Sequence, residues 1–139
     1  MIIRDFTWAD YEAVAALWLA VFGKARAEDA PERLAVTVTR NPGLFIVADD
    51  GGQIVGTVLG TFDGRRGYLY HVAVAATHHR QGIGTALIRD IETRLQALGA
   101  SKIYFRVFHD NARALAFYRR LGYDTNNHVL HLGRALDET

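Results

Sequence analysis

At 139 residues, half of them hydrophobic and 22% charged, the chain has the size and composition of a single globular domain, residues 1–139, with a core of its own. A net charge of +1 gives no broad field for a nucleic acid; no apolar run approaches a membrane span; and Met1-Ile2-Ile3-Arg4-Asp5 lacks the regions of a signal peptide. With no cysteine, disulfides, thiolate metal sites and a cysteine nucleophile are excluded and a cytoplasmic setting is expected, while the single serine, Ser101, sits outside any Gly-x-Ser-x-Gly turn and removes a serine hydrolase.

A short strand near Ile2–Arg4 leads to Thr7, an N-cap residue, and to a helix over Trp8–Phe22. Its Tyr11, Val14, Leu17, Trp18 and Val21 form one stripe, and Gly23 ends it. Lys24–Asp29 is a polar connection, and Pro31 suits the first turn of a second helix reaching Arg40. Asn41-Pro42-Gly43 breaks the chain. Strands over Leu44–Ala48, Ile54–Phe62 and Tyr68–Val74 follow as a meander, turning at Asp49-Asp50-Gly51-Gly52 and Asp63-Gly64-Arg65-Arg66-Gly67. A long helix from Gly84 to Leu98 spaces its apolar residues three and four apart and stops at Gly99. A strand over Lys102–Phe108, a helix over Asn111–Leu121 and a last strand near His128–Leu132 complete the order βααβββαβαβ. Antiparallel hairpins and a parallel return across the long helix make this an α/β fold, a mixed sheet flanked by about four helices.

The junction His79-Arg80-Gln81-Gly82-Ile83-Gly84-Thr85 leaves an apolar strand and opens a helix. Such a turn aims unpaired backbone N–H groups and the positive end of the helix dipole at one spot, which suits a phosphate. A dinucleotide fingerprint needs a small residue where Leu87 stands, and a P-loop needs Gly-Lys-[Ser/Thr], whereas the only lysines are Lys24 and Lys102.

This polar run with Gly-x-Gly, behind the strand Val72-Ala73-Val74, resembles motif A of the GNAT acetyltransferase superfamily. Asn111-Ala112-Arg113-Ala114-Leu115-Ala116-Phe117-Tyr118-Arg119-Arg120-Leu121-Gly122-Tyr123 resembles motif B, Asn-x-x-Ala-x-x-Phe-Tyr-x-x-x-Gly-[Phe/Tyr]. The likeness covers nearly the whole chain and is nearest to the small single-domain bacterial branch (YpeA-like), more loosely to ribosomal-protein N-terminal acetyltransferases. It implies the GNAT fold and an acetyl-CoA-dependent N-acetyltransferase of the EC 2.3.1 type, without a metal. By resemblance, the loop His79–Thr85 holds the pyrophosphate, chiefly through the amides of Arg80 to Thr85. Val72, Ala73 and Val74 lie in a strand that bulges and splays, so that the pantetheine pairs with its free backbone groups and an amide faces the thioester oxygen. Asn111 lies by the pantetheine while capping its helix, and Tyr118 protonates the departing thiolate. His79 departs from the usual Arg or Gln, which puts the strength of cofactor binding in doubt.

The proton acceptor is left open among Tyr70, His71, Asp63 and a water molecule. Strand alternation puts Tyr68, Tyr70 and Val72 on one face and His71 on the other unless a bulge shifts it, so His71 reads as a packed histidine. His128 and His131 fall on opposite faces of their strand, which argues against a metal pair. The acceptor is a small-molecule amine or the amine of a peptide or protein; Phe22–Asn41 carries both signs of charge and does not choose. A monomer and a homodimer are both open. Two rival readings are a non-catalytic acyl-CoA-binding or sensor module on the same fold, opposed by Tyr118, and a transferase acting on charged tRNA, opposed by the near-neutral charge.

Overall fold

The computed structural model describes residues 1–137 and divides the chain into two compact units, Met1–Tyr104 and the segment from Phe105 on. In the first unit the alternating apolar runs form β1 (Ile2–Asp5), β2 (Phe45–Asp50), β3 (Gln53–Phe62), β4 (Gly67–Val74) and β5 (Ile103–Tyr104), in that spatial order. The first four pair antiparallel and β5 joins β4 parallel, so the sheet is mixed as expected. The helices are α1 (Tyr11–Phe22), α2 (Pro31–Arg40) and α3 (Ile83–Leu98), with α4 (Ala112–Arg120) in the second unit. The expected first helix starts late: Trp8–Asp10 is a 3₁₀ turn. Arg4 ties that turn to the sheet by donating to both carboxylate oxygens of Asp10 (2.8 and 2.9 Å) and to Asp49 (3.1 Å).

Each sheet face carries its own layer. On one, Val14, Leu17 and Trp18 of α1 and Leu34 of α2 cluster with Phe45, Val47, Leu59 and Ala73. On the other, Ile83, Leu87, Ile88, Ile91 and Leu95 bury the inner stripe of α3. That helix lies unusually close because glycines line its path. A Cβ on Gly56 would come within 2.9 Å of Leu87 Cδ1, one on Gly60 within 2.9 Å of Ile91 Cδ1, and one on Gly67 within 2.7 Å of Leu95 Cδ1. Residues four apart on α3 thus seat in holes left on β3 and β4, and this seating fixes where the N-terminus of α3 emerges beside the end of β4.

Two expected strands are corrected. The one over Lys102–Phe108 shortens to Ile103–Tyr104, because β4 offers it partners only at Gly67 and Tyr68. The one near His128–Leu132 is absent among the described residues, where the order ends at α4. Its apolar residues Val129, Leu130 and Leu132 suit a strand, but a strand is stable only beside another, and the segment begins in a turn closed by Val129 N–H on Asn126 C=O (3.3 Å).

Replacing Gly60 by Ala crowds Ile91 and approaches the Leu44 carbonyl oxygen, 3.3 Å from the added carbon. Urea unfolding is expected to show a loss of about 1–3 kcal/mol at unchanged slope. An unchanged midpoint would show that α3 can withdraw freely.

Candidate active site

β4 carries one residue too many for its partner. Leu59 pairs with Tyr70 and Thr57 with Ala73, so His71 and Val72 together oppose Val58. The extra residue is a β-bulge, and His71 adopts it with a φ of 50°, a left-handed conformation uncommon for a side chain of this size. The bulge reverses the alternation beyond it. Leu69 sits opposite Gly60 on the α3 side, whereas Tyr70 and Ala73 sit opposite Leu59 and Thr57 on the α1 side. Plain alternation would send His71 toward α3; instead its ring lies 4.2 Å from that of Trp18 and 5.2 Å from that of Phe22, both on α1. The bulge that the sequence reading allows as the exception therefore decides the facing of His71.

A buried polar chain holds the bulge. Trp18 Nε1–H donates to Thr57 Oγ1 (2.9 Å), and the Thr57 hydroxyl donates to the His71 carbonyl (2.8 Å). Thr57 has no solvent exposure, so every link must find its partner inside the protein. The His71 imidazole Nε2 in turn lies 2.9 Å from both carboxylate oxygens of Asp29, whose own carbonyl accepts the Tyr11 hydroxyl (2.8 Å).

Beyond Tyr68 the outer edge of β4 has no strand partner among the described residues. Ala75 N–H donates to Val55 C=O (2.8 Å), which makes Gly56 and Val74 a non-hydrogen-bonded pair. The amide and carbonyl of Val74 consequently point away from β3, toward that open edge. From the sequence both groups are expected to be free; for the carbonyl this is corrected, because His79 Nε2 lies 3.0 Å from it. The ring that replaces the family's Arg or Gln folds back onto the strand.

The loop after β4 is braced on both sides. His79 ties it to Val74, and His78 Nε2 lies 2.9 Å from Asp50 of β2, with Thr77 Oγ1 2.8 Å from its Nδ1. Arg80 (φ 63°) and Gly82 (φ 79°) both take left-handed backbone, the kind of turn in which successive amides come to one side and suit an anion. The intrahelical ladder of α3 starts with Ala86 N–H on Gly82 C=O (3.0 Å), so the amides of Ile83, Gly84 and Thr85 have no helical partner. Ile83 contributes its backbone only, its side chain being buried against the sheet. No acidic residue lies between Ala76 and Ala86, and Arg80 and Gln81 are exposed beside the amides. This donor set fits a pyrophosphate.

In the second unit Asn111 is the cap expected of it, its Oδ1 accepting Ala114 N–H (3.1 Å). Tyr118 packs its ring against Phe105 (4.5 Å), Phe117 (5.1 Å) and Tyr123 (6.2 Å). Burial pushes its hydroxyl up to about 12, so the proton stays on through the physiological range.

Of the proton-acceptor candidates, Asp63 is committed to its own turn. Its carboxylate accepts the amides of Arg66 (2.8 Å) and Arg65 (2.7 Å), which hold it below the usual carboxylate range. Tyr70 is exposed beside Tyr68. Asp29, Thr57 and Trp18 were not singled out as site residues from the sequence. Thr57 had a faint signal, a hydroxyl inside the apolar run of β3; Asp29 had none, since only the bulge brings His71 to it.

The sequence model of the Acetyltransferase (GNAT) family matches residues 5–123, and the chain belongs to that family. It is 35% identical to the Acetyltransferase SG1711 of Sodalis glossinidius over 138 residues, covering 99% of this chain and 97% of that protein. The fold is shared with the aminoglycoside antibiotic 6'-N-acetyltransferase AAC(6')-IG of Acinetobacter haemolyticus (TM-score 0.80, 20% identity, 99% and 100% of the two chains). It is shared also with the PaiA N-acetyltransferase of Thermoplasma acidophilum in complex with coenzyme A (TM-score 0.75, 18% identity, 91% and 92%).

Replacing Thr57 by Val keeps the shape but leaves the Trp18 N–H and the His71 carbonyl without partner. The expected loss is about 1–3 kcal/mol by chemical denaturation. No loss would show that the strand ladder alone holds the bulge.

Proposed function

We propose that the protein is an acetyl-CoA-dependent N-acetyltransferase in which a primary amine attacks the thioester directly, with no acyl-enzyme. The observation that carries this reading is the left-handed turn at Arg80 and Gly82 that opens α3 with the amides of Ile83, Gly84 and Thr85 free of helical partners, next to an edge of β4 that no described strand pairs. The family match supports it, and because that match spans both units it supports treating residues 1–139 as one acetyltransferase domain. When bound, acetyl-CoA supplies the activated acetyl group.

The residues divide the work. The amides of Arg80, Gln81, Gly82, Ile83, Gly84 and Thr85 bind the pyrophosphate, with His79 bracing the loop rather than meeting phosphate itself. The Val74 amide, facing outward, pairs with the pantetheine, and the bulged Val72–Ala73 stretch places backbone N–H near the thioester oxygen. Asn111 fixes the start of α4, and Tyr118 donates its hydroxyl proton toward the leaving sulfur. A phenol held at about 12 is a weaker acid than a thiol near ~8.5, so Tyr118 acts chiefly as a hydrogen-bond donor that steadies the thiolate. Catalysis rests on holding both reactants in place. The acceptor is a small-molecule or protein amine, and the absence of cysteine favours a cytoplasmic setting.

Acetyl-CoA at 100 times its dissociation constant is expected to stabilise the wild type by about 2.7 kcal/mol in thermal melts, and Gly84→Val to abolish that shift with the fold retained. Thiol release across polyamines, amino acids, aminoglycosides and peptide N-termini identifies the acceptor. With it, Tyr118→Phe is expected to lower kcat roughly 10- to 1,000-fold at unchanged acetyl-CoA affinity. Melting that ignores millimolar acetyl-CoA overturns the reading; binding without turnover on the whole panel replaces it with a non-catalytic acyl-CoA-binding module.

A further inference from the structure

Three features of the first unit converge on one imidazole. The bulge carries His71 to the α1 side of the sheet in strained, left-handed backbone, and strain of this kind persists where the surrounding structure holds it in place. Trp18 and Thr57 supply that hold through the His71 carbonyl. Asp29, at the end of the 3₁₀ turn Ala27–Asp29 in the α1–α2 connection, receives the ring. A carboxylate only accepts hydrogen bonds, so Nε2 carries the proton and the lone pair lies on Nδ1. No buried side-chain nitrogen or oxygen among the described residues lacks a partner, and Nδ1 makes no hydrogen bond to any described residue; Nδ1 therefore belongs to the exposed part of a side chain that is 12% accessible. The groups facing this ring are Asp29 from the connection, Trp18 and Phe22 from α1, and, one step removed, Tyr11 on the Asp29 carbonyl and Glu32 of α2, whose charge acts on Tyr11.

We propose that His71 is the general base of the acetyl transfer, taking the proton of the acceptor ammonium on Nδ1, and that Asp29 is its positioning residue. The proposal rests on the N-acetyltransferase reading above. A neutral imidazole oriented by a carboxylate can take a proton and be steadied as imidazolium by the same carboxylate, the logic of a histidine–aspartate pair in hydrolases. The balance is simple. The nitrogen enters as R–NH3⁺ and gives up two protons. One passes to His71 Nδ1 and on to solvent; the nitrogen lone pair forms the N–C bond, the C–S bond breaks with its electrons on sulfur, and the second proton ends on that sulfur as the thiol. Neither Asp63, bound into its turn, nor Tyr70, a phenol exposed beside Tyr68, offers a comparable acceptor. The pair also selects among amines. A base is needed only for an acceptor that arrives as an ammonium, so alkylamines depend on His71 and weakly basic nucleophiles do not.

The test compares wild type, His71→Gln and Asp29→Asn. Gln keeps an N–H for Asp29 but cannot take a proton. The best alkylamine from the acceptor panel and hydroxylamine, largely unprotonated at neutral pH, serve as the two nucleophiles. For His71→Gln the expected kcat/KM with the alkylamine falls by roughly 100- to 10,000-fold at neutral pH, and the acid limb of its pH profile gives way to the titration of the amine itself, near ~10.4 by the lysine reference. With hydroxylamine the loss is less than about tenfold, and the acetyl-CoA melting shift is unchanged. Asp29→Asn retains the acid limb but moves it, with an intermediate loss of kcat; the same shift decides the matter if His71→Gln does not fold. An unchanged acid limb, or an equal loss with both nucleophiles, makes the pair structural and overturns the inference while leaving the acetyltransferase reading intact. A wild type that binds acetyl-CoA and acetylates nothing removes the reading and the inference together.

Discussion

The insertion of one residue into β4 opposite Val58 sets the facing of the strand and the position of its polar groups throughout the first unit. Before the bulge, Leu69 faces α3; after it, Ala73 faces α1, although the two positions are an even number of residues apart and would share a face in a regular strand. The same insertion turns His71 toward α1 and Asp29, and it precedes a stretch whose outward backbone groups no strand among the described residues takes up. A bulge leaves backbone groups unpaired and costs local ladder hydrogen bonds, so it needs support from elsewhere. Here the support is a hydroxyl and an indole N–H in a water-free position, Thr57 and Trp18.

The second constraint is the close seating of α3. Helices commonly pack at a distance set by the side chains between them and the sheet; three glycines on β3 and β4 remove those side chains under Leu87, Ile91 and Leu95. The axis of α3 is thereby fixed, and with it the place where its first amides open. His78 and His79 complete the arrangement by tying the loop to Asp50 on one strand and Val74 on another. The departure at His79 makes physical sense on these terms. An imidazole short enough to reach the Val74 carbonyl stiffens the loop, and Arg80 remains beside the amides as the charged side chain.

Much of this was legible in the sequence. The apolar spacing of Leu87, Ile91 and Leu95 marked the buried face of α3, and Gly23 and Gly99 marked the ends of α1 and α3. The turn residues at Asp49–Gly52 marked the hairpin, because all these signals are local. The Gly-x-Gly turn and the asparagine cap were readable for the same reason. The facing of His71 was not. Alternation is a one-strand rule, and a bulge depends on the partner strand and on a threonine and a tryptophan distant in the chain. The strands over Lys102–Phe108 and His128–Leu132 failed for a related reason: both carry the apolar residues of a strand, but pairing is supplied by a neighbour, and β4 offers only Gly67 and Tyr68 to the first. The role of Gly56 and Gly60 was not read from the sequence, because it depends on α3 lying over them.

The unpaired edge of β4 and the amides that open α3 are held to form one surface for one ligand, and the functional reading stands or falls on that unity. Residue-resolved amide hydrogen exchange, with and without coenzyme A, tests it without reference to any acceptor. The expected result is slowed exchange at Val74 and from Arg80 through Thr85 together, with β1 and β2 unaffected. Protection of the loop alone, with Val74 exchanging as in the free protein, would show two separate surfaces and refute the claim.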